Sequence, residues 1–157
     1  MKYLSENRLY DFVWHDSVFS LIGYENDTLK IKAEFLNIVK TSPYNPEESD
    51  MQIRDAVITF EGFRVAKVIT TAATQIILDE YDEFSGKEGD SALEETLRVL
   101  RGGLTVLDFG IHDSGYHFFS ALDEKSRMVD VRFMFYNAVV TWDEFSGVAW
   151  YEKKRIR

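Results

Sequence analysis

The sequence predicts a mainly β (α+β) fold: a pseudo-twofold antiparallel β sandwich or barrel, with one helix near residues 91–101. Three observations lead there. DFVWHDS at 11–17 is answered by DFGIHDS at 108–114, and AVITFEGFRVA at 56–66 by AVVTWDEFSGVA at 138–149, in the same order. Two collinear matches point to an internal duplication of about residues 9–66 and 106–149 within a single domain, 1–157. Stretches of strict apolar and polar alternation follow each first motif, which is the signature of half-buried strands. A single segment, SALEETLRVLRGG, carries helical spacing.

Along the chain, a short helical turn is expected near Leu4 to Tyr10. After Ser17, VFSLIGY reads as a strand running into the turn-forming Glu25-Asn26-Asp27. In LKIKAEF, Leu29, Ile31, Ala33 and Phe35 point one way and Lys30, Lys32 and Glu34 the other. Residues 41–54, with Pro43 and Pro46 among Ser, Asn and Glu, read as an exposed loop peculiar to the first copy. The β-branched stretch 63–81 continues as one or two strands, and the acidic segment DEFSGKEGD as turn. Ser91 with Glu94 forms a capping box, Leu93, Leu97 and Leu100 share a helical face, and Gly102-Gly103 stop the helix. In the second copy YHFFSAL forms a strand, and MVDVRFMFY places Val129, Val131, Phe133 and Phe135 on one face.

Composition narrows the function classes. Twelve Phe, eight Tyr and three Trp supply a packed interior, and two Pro and nine Gly leave little room for disorder. The absence of cysteine excludes disulfides, thiolate metal sites and cysteine nucleophiles. MKYLSENRLYDF lacks the apolar core of a secretory signal, and no apolar run is long enough to span a bilayer as a helix, so a cytoplasmic protein is expected. The formal charge is −9, and Lys153, Lys154, Arg155 and Arg157 concentrate positive charge at the end, so the body is more acidic still. Such a surface repels nucleic acid and anionic membranes and suits a protein partner with a basic face.

Two of the three histidines, His15 and His112, sit in the repeated motif. A local Ser-His-Asp triad is disfavoured, because neighbours along a strand face opposite sides and triads assemble from distant segments. His15, Asp16, His112 and Asp113 form the better enzymatic set, since imidazole and carboxylate suit a divalent transition metal such as Zn, Mn, Fe or Ni. The paired letters resemble HD-type metal phosphohydrolases, but those are helical and their other histidine spacings are missing here. The structural reading is stronger: Asp and Ser satisfy free amides at a corner, while Phe12 and Phe109 anchor the core.

YDEFSG at 81–86 and WDEFSG at 142–147 repeat at a different offset, and the acidic run 79–90 lacks EF-hand spacing. No Walker loop, GxGxxG, GxSxG or HExxH is present. Trp14, Trp142 and Trp150 read as core or rim. WHDS before a hairpin, with ITFEGF on a later strand, resembles small bacterial β proteins, some of which accompany polymorphic toxins as immunity proteins. That resemblance covers mainly residues 9–66, and the second copy departs from it with GIHDS and VVTWDEF. It implies an acidic, non-enzymatic binder of a toxin surface and carries over no catalytic residue. The leading expectation is therefore an acidic interaction protein without cofactor, with Tyr44, Glu47, Glu48 and Asp50 of the extra loop as candidate partner contacts. A metal-dependent hydrolase built on the two His-Asp pairs is the alternative. A barrel holding a small apolar ligand, resting on the aromatic content alone, is a third.

Overall fold

A computed structural model describes residues 2–71, 86–113 and 115–155. Thirteen strands, a 3-10 turn at Leu9–Asp11 and two helices occur among them. The strands are β1 (Tyr3–Glu6), β2 (Phe12–Val13), β3 (Val18–Glu25), β4 (Thr28–Glu34), β5 (Asn37–Ile38), β6 (Met51–Arg54) and β7 (Ala56–Glu61). After β8 (Arg64–Thr71) come helix α1 (Gly89–Gly102), β9 (Leu104–Ile111), β10 (His117–Leu122), β11 (Met128–Met134), β12 (Asn137–Trp142), β13 (Glu144–Val148) and helix α2 (Trp150–Arg155).

All pairings are antiparallel. A nine-stranded sheet runs β1-β12-β7-β4-β3-β9-β10-β11-β8, and a four-stranded sheet runs β13-β6-β5-β2. The large sheet does not close into a barrel, and among the described residues β1 and β8 are its outermost strands. The small sheet is a continuation of the large one. Its strands β13, β6, β5 and β2 adjoin in sequence β12, β7, β4 and β3, which neighbour one another in that same order. Four strands thus bend at a corner and fold back over the core, giving a sandwich-like α+β fold.

The corners explain why alternation fails where it does. Alternation alone would extend the core face of Leu29, Ile31 and Ala33 to Phe35. Instead β4 stops at Glu34, Phe35 takes φ +59° with half its surface exposed, and the chain re-enters with Leu36 and Ile38 fully buried. One left-handed residue exchanges the two faces and carries the strand into the second sheet. Asp55 (φ +51°) makes the same turn from β6 into β7, and Asp16 (φ +70°) sits in the turn before β3. Asp tolerates this region better than most side chains, which suits it to corners.

Elsewhere the local signals hold. Asn26 and Asp27, both left-handed at φ +52° and +58°, close the β3–β4 hairpin as a two-residue turn. Val129, Val131 and Phe133 are buried along β11, with Phe135 packed against the core beyond it. Helix α1 lies on β8 and β3 through Ala92, Thr96, Val99 and Leu100, with Leu93 and Leu97 half-buried beside them. Its start differs from the expected capping box. Glu88 is the N-cap, and Ser91, inside the first turn, donates its hydroxyl hydrogen bond to the Glu88 carbonyl. Gly103, at φ +89°, ends it as expected. Of the stretch 63–81, Phe63 is buried ahead of β8, β8 accounts for residues 64–71, and 72–81 lie outside the described residues, as do Ser114 and residues 82–85 of the acidic turn. No helix among the described residues is long and apolar enough to cross a membrane.

Candidate functional site

The two copies of the repeated motif occupy unlike places. The first is a corner: Asp11 ends the 3-10 turn, Phe12 and Val13 form β2, and Trp14 to Ser17 reverse the chain into β3. The Ser17 hydroxyl donates to the Trp14 carbonyl at 2.6 Å, and the Ser17 amide donates to the same carbonyl at 3.0 Å. The Asp16 amide donates to the Val106 carbonyl at 2.8 Å. His15 Nδ1 lies 2.8 Å from the Leu107 carbonyl. A carbonyl only accepts, so His15 carries its proton on Nδ1 there. The second motif ends β9 and turns into β10 as a hairpin, where His112 donates its amide to Tyr116 and Gly115 donates back to His112.

The metal-ligand candidates are consequently spread out. His15 and Asp16 abut β9 at Val106 and Leu107, whereas His112 and Asp113 stand beyond its far end, five residues and about 17 Å along an extended strand. Among the described residues no three His, Asp or Glu side chains gather in a metal-binding group. The loop candidates divide as well. Tyr44, Glu47 and Glu48 are exposed. Asp50 is structural: its carboxylate accepts the Lys40 amide and the Tyr151 hydroxyl, each at 2.7 Å, and its carbonyl accepts the Ala149 amide. The loop is also pinned from within. Ser42 donates to Oδ2 of the buried Asp11 carboxylate at 2.9 Å, which also accepts from Arg8 Nε at 2.7 Å, and Asn45 reaches the carbonyls of Val39 and Ser49.

What the motifs do share is a pocket. β3 accompanies β9 only at Leu104 and Thr105, and the corner covers Val106 and Leu107. Beyond that point β9 runs on without a neighbouring strand on this side among the described residues, and a cavity of about 330 Å³ opens between it and residues 7–14. Phe12 and Trp14 of the first motif form one wall with Asn7, Leu9 and Tyr10, and Phe109, Gly110 and Ile111 of the second form the other with His117 and Phe135. Phe12 and Phe109 hold equivalent motif positions, as do Trp14 and Ile111. At the floor, the Trp14 indole stacks on Phe109 with centroids 4.3 Å apart and donates its N–H to the Leu9 carbonyl at 3.1 Å. The rim is mainly apolar as well. Tyr10 is 73% exposed and Ile111 68%.

His117 and the Tyr10 phenol are polar groups of the lining, beside Asn7. His117 packs on Phe135 at 4.7 Å and Phe133 at 6.0 Å, and among the described residues its imidazole has no hydrogen-bond partner. Burial lowers its pKa below the ordinary histidine value, because the surrounding rings cannot solvate a cation. A neutral imidazole on an apolar wall can donate or accept one hydrogen bond, so it offers orientation to a bound group without offering charge. Asn7 is committed elsewhere, donating to Asn137 at 2.7 Å and accepting the Ala138 amide. The arrangement suits an apolar or aromatic body with few polar contacts.

The sequence draws attention to both motifs, and the structure places a pocket between them. His, Asp and Ser draw the eye, whereas the bulky apolar letters of each copy are the ones that face each other. The signal available is the pair Trp14 and Ile111: a large apolar residue directly before His-Asp in both copies. Compared with known proteins, the chain matches no family model, no curated protein and no solved structure.

Proposed function

We propose that the protein acts by binding, as an acidic interaction protein that receives an apolar side chain of a protein partner in the pocket between its two motifs. The observation that carries this reading is the aromatic pocket itself, walled by Phe12, Trp14 and Phe109 and rimmed by the exposed Tyr10 and Ile111. Large exposed apolar side chains around an apolar hollow cost solubility unless something covers them. An enclosed small-molecule site would bury its rim, whereas a rim left open suits an anchor residue carried by a larger surface. The net charge of −9 favours a partner with a basic face. An immunity-like role, covering the surface of a toxin domain, is the form of this reading that the WHDS and ITFEGF resemblance suggests.

The test is a titration with indole, a stand-in for an aromatic side chain, followed by backbone amide NMR. Amides of Trp14, Phe109, Ile111 and His117 should shift together and saturably, and the exposed-site variant Ile111→Lys should abolish the effect without altering the melt. Shifts scattered over the surface, or binding indifferent to Ile111→Lys, would refute the pocket as the contact.

A further inference from the structure

The pocket is a gap in the sheet as well as a hollow, and this identifies the kind of partner it takes. In the β9–β10 hairpin His112 donates its amide to Tyr116, which makes that pair a hydrogen-bonded one. Hydrogen-bonded and non-bonded pairs alternate in an antiparallel ladder, so Ile111 opposite His117 and Phe109 opposite Phe119 turn their backbone groups away from β10. They face the side that β3 has left. The Phe109 amide is satisfied there by the Asp108 carboxylate at 2.9 Å. Among the described residues, the Phe109 carbonyl and both polar groups of Ile111 remain as an open edge, beside the pocket that their own side chains line.

The charge on the strands that form this edge is acidic. Residues 9–29 and 104–124, which supply both walls apart from Asn7 and Phe135, contain no Lys or Arg. Asp16, Asp108 and Asp113 are exposed along them. The nearest cation in sequence, Arg8, is engaged by Asp11 and lies over the Tyr10 ring at 5.2 Å. A residue placed opposite Phe109 or Ile111 in an added strand would project to the same face as they do, into the pocket.

We infer that the site binds an extended, basic segment of a partner protein by strand addition to β9, with an aromatic or large aliphatic side chain of that segment seated between Trp14, Phe109 and His117. Main-chain hydrogen bonds to Phe109 and Ile111 supply affinity, the pocket selects the anchor, and the carboxylates select the flanks. This rests on the proposed binding role and adds the conformation and charge of what is bound.

The probe is a set of acetylated, amidated pentapeptides Lys-Val-Xaa-Val-Lys, with Xaa as Phe, Trp, Tyr, Leu, Ile, Met or Ala, titrated up to millimolar concentration and read by amide NMR and hydrogen exchange. The aromatic members should bind at least tenfold more tightly than the Ala member and slow exchange of the Ile111 amide. Methylation of the peptide backbone nitrogens should weaken binding tenfold or more, and Glu in place of the flanking Lys should abolish it. Asp16→Asn with Asp113→Asn should weaken binding severalfold at low salt and little at high salt. If no member perturbs Phe109 to Ile111, strand addition is wrong. If methylated peptides bind as well as their parents, the occupant is a side chain or small molecule alone, and strand addition falls while the pocket stands. Indole binding without peptide binding likewise overturns strand addition and keeps the pocket, whereas failure of indole and peptides together removes the binding role itself.

Discussion

Trp14 is the partition between core and pocket, and replacing it tests both roles at once. It is 7% exposed, stacked on Phe109 at 4.3 Å, edge-on to Phe19 at 6.0 Å and tilted against Phe12 at 5.7 Å, with its indole N–H on the Leu9 carbonyl. Trp14→Ala removes all of these and leaves a void, for which buried tryptophans lose about 3–5 kcal/mol. The lower end applies here, because the void opens into the pocket and admits water. Trp14→Phe keeps a stacking ring and loses the hydrogen bond, worth about 0.5–1.5 kcal/mol, plus part of the packing, for a total of about 1–2 kcal/mol. Urea titrations at constant m measure both, and for a chain of this size each kcal/mol also moves Tm by about 2–4 °C. Trp14→Phe should still bind indole, and Trp14→Ala should bind it weakly or not at all even where it is folded. A Trp14→Ala variant within about 1 kcal/mol of the parent would show that the indole is not packed as described, and the wall of the pocket would go with it.

Further expectations follow from other parts of the molecule. Because burial lowers the His117 pKa, the unfolded chain takes up a proton below about pH 6.5 that the folded chain refuses. His117 thus lowers stability as pH falls through and below that value and contributes nothing above it; His117→Gln should flatten the stability profile between pH 8 and 5, and an unchanged profile would contradict the burial. Asp50→Ala should cost about 1–3 kcal/mol by orphaning the Lys40 amide and the Tyr151 hydroxyl, whereas Glu47→Lys and Glu48→Lys should stay within about 0.5 kcal/mol. Equal urea midpoints for all three would refute the structural role of Asp50. Gly62 sits at φ +69°, and a Cβ there would lie 2.1 Å from the Tyr136 ring. Gly62→Ala should lose about 1–2 kcal/mol to left-handed backbone strain and more to the ring clash, so its cost should shrink in a Tyr136→Ala background. An equal cost in both backgrounds, by urea titration, would show that the ring does not press on Gly62.

Much of the strand pattern is legible in the sequence because each signal is local. Alternation in 29–33 and 129–133 needs no knowledge of neighbours, and neither does the Asn26-Asp27 turn or the apolar stripe of α1. Local alternation does not reveal the corners, because Phe35 is apolar in sequence and faces solvent only because its backbone is left-handed. Nor does it reveal β1, which exists by pairing with β12 across most of the chain length. The pocket is hidden for the same reason: its walls come from residues 7–14 and 109–135, and their facing depends on where β3 parts from β9. The barrel around a small apolar ligand, suggested by aromatic content alone, does not form, because the large sheet stays open. The loop at 41–54 looks free in sequence because its anchors, Asp11, Lys40 and Tyr151, are side chains and amides that only the fold brings together.

The most direct test of the pocket is a crystal soaked with 4-bromophenol, in which anomalous scattering locates the bromine without reference to the protein. The account predicts a bromine enclosed by Trp14, Phe109 and Phe135, with the hydroxyl within reach of His117, and no such signal in crystals of Ile111→Lys. Bromine found only elsewhere on the surface, with the space between the two motifs empty, would contradict it.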